Sequence, residues 1–126
     1  MRSAALFGTT GAFLGFLAVA AGAFGAHALR DSLSTERLQV FETGARYQLI
    51  HALGLVAIAL FLERGTGGAG AAMAAGWLFL AGQMIFAGSL YALALTGVRI
   101  WGAVTPLGGL CYLGGWLFLA IAFLRR

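Results

Sequence analysis

Charge is what this chain has least of. Only 10% of its 126 residues are charged and 61% are apolar, whereas a water-soluble domain carries roughly 25% charged residues. Water is therefore excluded as the main solvent, and a mean hydropathy of +0.93 agrees. Cysteine is reduced to Cys111, which excludes an intrachain disulfide and a thiolate metal cage and leaves a small buried hydrophobe. Proline is reduced to Pro106 beside 20 glycines, so the chain does not have the composition of a disordered linker. Acidic residues number four, three of them between Arg30 and His51, and none lies deep in an apolar run. No catalytic or cofactor motif rises above background.

The eight basic residues are all arginine, giving a net charge of +4 and a pI of about 10.2. In a soluble protein that excess would suggest nucleic acid. Here the arginines stand singly or in pairs at the ends of apolar runs, where headgroups and water meet them. The expected partner is the lipid bilayer, and no nucleic acid is expected.

What is present is four uncharged apolar stretches, each set against the ~20 residues that cross ~30 Å of hydrocarbon. They predict an all-α integral membrane four-helix bundle, one domain over residues 1–126, with spans near 4–29, 44–62, 71–96 and 105–124. Helices satisfy every backbone polar group internally, which hydrocarbon demands. The first stretch also resembles a signal peptide, with Arg2 ahead of it and Ala26-His27-Ala28 as a small-x-small site. It outruns the ~7–15 apolar residues of such a segment, so a retained span is expected.

Gly8, Gly11, Gly15, Ala18, Gly22 and Gly25 recur at spacings of three and four. They predict a helix-packing seam on the first span, where small residues let backbones approach. The third span carries Ala74, Ala81, Gly88 and Ala75, Gly82, Ser89 in two small stripes, with Gln83 near its midpoint. A buried amide there needs a partner on another helix, an interaction worth about 0.6–2 kcal/mol. Thr105-Pro106 reads as the cap and first residue of the fourth span. Trp77, Trp101 and Tyr112 are placed toward helix ends as interfacial aromatics.

Polar character concentrates between Arg30 and His51. Ser34 reads as an N-cap with Glu36 in the first turn, and Leu33 and Leu38 are spaced as a hydrophobic staple. Leu38, Phe41 and Ala45 recur at helical spacing, predicting an amphipathic interfacial helix near 34–43 that either bends at Thr43-Gly44 into the second span or runs unbroken into it. There Gly44, Tyr47, Gln48 and His51 share one stripe, and Glu42 and Arg46 are spaced for an ion pair.

Four spans put both termini and the 63–70 loop on one side, and the 30–46 segment and the 97–105 loop on the other. His27, Glu42, Arg46, Tyr47, Gln48, His51, Ser89, Tyr91 and Thr105 then fall in one half of the bilayer. With Gln83 they form the candidate polar pocket. Arginines divide evenly between the two sides, so the positive-inside rule barely votes. The amino terminus tips the expectation toward cytoplasmic termini in a cell (inner or plasma) membrane.

The stretches GAFGAHAL (Gly22–Leu29), TGARYQLIHAL (Thr43–Leu53), FAGSLYALALTG (Phe86–Gly97) and VTPLGG (Val104–Gly109) resemble the domain-of-unknown-function 423 family, whose eukaryotic relative is a small transmembrane protein. The resemblance covers nearly the whole chain. It implies a small multi-pass membrane protein with no settled activity and no active site to carry over.

Four function classes compete for the polar residues. His27 and His51 lie in one half-membrane, yet two histidines without a third strong ligand do not make a metal or haem site, so no metal or cofactor is expected. Small-solute or proton-coupled transport through His51 and Gln83 is the alternative function. It lacks a deep acid and a broken helix. Ser89, Thr105 and Cys111 lack any context that would activate a nucleophile, so no enzyme is expected. The favoured reading is a scaffold or accessory protein whose amphipathic 34–46 segment and polar pocket bind a lipid headgroup or a membrane-protein partner, with self-association left open.

Overall fold

The computed structural model describes residues 2–65 and 67–126. Four spans are present. Helices α1 (Arg2–His27), α2 (Thr35–Glu63) and α5 (Ile100–Leu124) are each continuous. The third span is built from α3 (Ala69–Gly82), a π-helical turn (Gln83–Ala87) and α4 (Gly88–Thr96). Large apolar side chains such as Phe16, Leu53, Leu113 and Leu124 point outward. In hydrocarbon the outside is as apolar as the core, so close packing decides which face turns inward.

α1 packs along α2, α5 packs along the third span, and α2 lies between α1 and the third span. The α1 face toward α2 is its small one. A methyl on Gly11 would fall 2.8 Å from the Ala52 carbonyl and 2.9 Å from Leu55 Cβ. Gly8 faces Ala59, Gly15 faces Ala52, and Gly25 faces the Phe41 ring. Gly22 is different, with no neighbour within 4 Å of its missing methyl; with Val19, Glu42 and Arg46 it lines an open groove of about 540 Å³.

Rings seated on glycines fill the centre. Phe79 is fully buried between Gly54 and Gly115, where a methyl on Gly54 would fall 2.7 Å from a ring carbon. Phe7 of α1 sits on Gly76 and Tyr112 sits on Gly82. Phe7, Leu55, Ile58, Phe79, Tyr112 and Leu119 belong to one continuous core.

The expected interfacial helix does not exist as a separate element. Ser34 caps α2, its Oγ accepting from the Arg37 N–H at 3.3 Å, and the helix then runs unbroken from Thr35 to Glu63. Gly44 is not a bend. It is buried, and a side chain there would meet the Tyr91 ring at 3.1 Å. Residues 35–43 stand upright because Phe41, with Leu33 and Leu38 around it, packs between α1 and α4. The Arg37 side chain also donates from Nε to the Ala94 carbonyl in the last turn of α4, at 2.7 Å. A cation on those terminal carbonyls complements the helix dipole.

The expected start of the fourth span at Thr105-Pro106 is also corrected. α5 begins at Ile100, and Pro106 lies inside it. Gly97 ends α4 in the left-handed region at φ 71° and reverses the chain within three residues. Residues 100–104 are apolar and uncharged, so they extend the span and join the helix.

Candidate functional site

Two buried amides connect all four spans. Gln48 on α2 donates from Nε2 to the Leu14 carbonyl of α1 at 2.9 Å and accepts at Oε1 from the Tyr91 hydroxyl of α4 at 2.7 Å. The small α1 seam makes the first bond possible, since only a face without bulk leaves a main-chain carbonyl open to a neighbouring helix. Gln83, the first residue of the π-helical turn, donates to the Gln48 carbonyl at 2.9 Å. It accepts from the Tyr112 hydroxyl of α5 at 3.2 Å. Both glutamines are buried, as hydrogen-bonded amides in lipid can be.

His51 stands one turn below Gln48 and is 3% exposed. Its Nδ1 lies 2.7 Å from the Tyr47 carbonyl, and the Trp116 indole N–H donates to its Nε2 at 3.0 Å. The indole has only a donor, so Nε2 is the acceptor and Nδ1 carries the proton. The ring lies flat on Tyr112, with centroids 3.4 Å apart and planes 6° from parallel. Phe79 meets it edge-on.

α2 and α5 make almost no close backbone approach; ring side chains bridge them. The gap left between them is a groove of about 650 Å³. Its walls include Tyr47, Ile50, Leu110 and Leu113, with Arg46 and Pro106 toward the loop-1 end and His51 and Trp116 at the deep end. From Pro106 to Trp116 α5 advances about 15 Å, the depth of one leaflet of a ~30 Å core.

The family described as "Protein of unknown function (DUF423)" matches residues 21–109. The UPF0382 membrane protein YwdK of Bacillus subtilis is 44% identical over 115 residues, 91% of this chain and 93% of the relative. A UPF0382 membrane protein of Staphylococcus epidermidis is 48% identical over 91% of this chain and 92% of the relative. The UPF0382 inner membrane protein YgdD of Escherichia coli K12 is 38% identical, with 90% and 86% covered. The chain belongs to the DUF423 family. No solved structure matches it.

This DUF423 protein is thus a multi-pass protein of the cell membrane. Its structure divides the candidate pocket residues into three groups. Gln48, His51, Gln83 and Tyr91 join one network around Tyr112. Ser89 and Thr105 form a separate hydroxyl pair at 2.6 Å between α4 and α5, backed by the Phe86 and Trp101 carbonyls. Arg46 and Tyr47 line the groove. His27 and Glu42 do not join: both are exposed, because α1 ends at His27 and Glu42 points away from the Tyr91 face of α2. Among the described residues, no three His, Cys, Asp or Glu side chains are grouped to hold a metal ion. Cys111 is half-buried.

Two residues were missed from sequence. Tyr112 is no interfacial aromatic but is 4% exposed at the centre of the DUF423 bundle, and Trp116 lies one turn beyond it. The available signal was that Gly108, Tyr112 and Trp116 share a stripe of α5 spaced by four.

Proposed function

We propose that this DUF423 protein is an accessory membrane protein that holds a phospholipid in the α2–α5 groove, with the phosphate on Arg46 and an acyl chain against Ile50, Leu110 and Leu113. The observation that carries this reading is a one-leaflet apolar groove of about 650 Å³ with an arginine lining its headgroup end. Guanidinium matches phosphate in charge and in bidentate geometry. The buried network has a structural part here: it fixes the rear wall by holding Tyr112 and Trp116. Transport through His51 and Gln83 fits less well, because both ring nitrogens and both ends of the amide are engaged within the protein. The proposal contains no catalytic step.

Two variants test the groove without entering the network. Arg46→Gln removes the phosphate partner. Gly109→Leu projects into the groove from a position where a methyl would meet only the Phe86 ring, at 3.9 Å. Native mass spectrometry of protein purified in mild detergent is expected to show phospholipid retained by the parent, and one lipid fewer in both variants. Equal retention in all three would overturn the reading.

A further inference from the structure

The seam between α2 and α5 opens a second time, at its other end. Below the edge-to-face pair of Phe61 and Phe123, whose centroids are 5.0 Å apart, lies a cleft of about 240 Å³. Ala57, Leu60, Phe61 and Phe123 form its walls, and Arg64 and Arg126 both reach it. Arg64, just after α2, and Arg126, just after α5, thus line one small space. Among the described residues no Asp or Glu side chain lines it, and the neighbouring Glu63 is exposed, as both arginines are.

Like charges sharing an apolar-walled cleft repel, and the repulsion is relieved by an anion between them. Gly67 and Gly68 lie against the Arg125 and Ala122 carbonyls at the end of the chain's last helix so closely that a side chain on either glycine would collide with them. Depth identifies the anion. Arg46 and Arg64 are 18 positions apart, about 27 Å along the helix axis, so one stands at each face of a ~30 Å hydrocarbon core.

We infer that the Arg64–Arg126 cleft is a second site, for the phosphate of an anionic phospholipid in the leaflet opposite the Arg46 groove, with its chain along Leu60 and Phe61. This rests on a different cleft and different arginines from the reading above, and either can fail alone.

The test uses the full chain in nanodiscs of phosphatidylcholine containing phosphatidylglycerol, with bound lipid identified by native mass spectrometry after release. The parent is expected to retain one phosphatidylglycerol that is insensitive to Arg46→Gln and is lost in the Arg64→Gln/Arg126→Gln double variant. Affinity should fall about thirtyfold, the equivalent of about 1 kcal/mol for each arginine at an anionic surface. The Arg64→Lys/Arg126→Lys variant keeps the charge and should keep most of the binding, which separates loss of the site from loss of the fold. Excess inorganic phosphate should not displace the lipid. Retention unchanged in the double glutamine variant, equal retention of phosphatidylcholine, or displacement by free phosphate would each overturn the site. Loss confined to Arg46→Gln would overturn it while leaving the first groove standing.

Discussion

Gln48 makes three hydrogen bonds, two through its side-chain amide and one through its main-chain carbonyl, to α1 and to two points of the third span. Its replacement by leucine keeps the volume and leaves the Tyr91 hydroxyl without its acceptor. We expect Gln48→Leu to lower stability by about 1–2 kcal/mol, read by unfolding in mixed micelles. A double-mutant cycle with Tyr91→Phe should return a coupling of about 0.6–2 kcal/mol; a coupling near zero would mean that the phenol bond contributes nothing. Arg37 is the second residue of this kind. Arg37→Met keeps the aliphatic stem but removes the bond to the Ala94 carbonyl, at an expected cost of about 1–2 kcal/mol. Hydrogen exchange should then quicken selectively at the end of α4 and in the 97–99 turn, with α3 unchanged.

Among the elements, α2 decides the architecture. It is the longest helix, and it touches α1 through small residues, the third span through Gly44 and Gly54, and α5 through rings. Where the partner supplies backbone or a seated ring, any added carbon must displace it. Gly54→Ala pushes against Phe79 from a position with no slack and is expected to cost about 1–3 kcal/mol. Gly22→Ala enters open space and should be neutral or stabilising by up to about 1 kcal/mol, since alanine is the better helix former. Similar losses for both would show that the two faces of α1 and α2 are packed alike. The π-helical turn belongs to this scale too. It begins at Gln83 and brings Phe86 to the groove wall, while its backbone at Phe86 lies directly against Gly108 of α5.

For the whole molecule, four spans fix the relative sides of every loop. In a Cys111→Ser background, cysteines at Ser32 and Arg99 should label from one face of sealed vesicles and those at Arg64 and Arg126 from the other. Labelling of all four from one face would dismantle the bundle. The same geometry gives the α2–α5 seam an arginine at each headgroup level, and this is why a lipid in each leaflet is the measurement that matters most for function.

Composition alone dictates the solvent and the number of spans, because a run of ~20 uncharged apolar residues has few other stable fates. The small face of α1 and the Ser34 cap are equally local, being set by spacing and by one side-chain oxygen. The amphipathic pattern after Ser34 was legible too, but not its destination. An apolar stripe on a short helix serves a headgroup layer or a neighbouring helix equally well, and only the presence of Tyr91 and Ala94 beside Phe41 selects the second. The polar network has the same origin. Gln48, His51 and Gln83 could be picked out as costly groups in lipid, whereas Tyr112 and Trp116 look like any aromatics until the third span and α5 come together. Which amide meets which phenol, and where two helices stand far enough apart to leave a groove, depends on contacts between residues far apart in the chain. Those are settled by packing and carry no signature in local spacing.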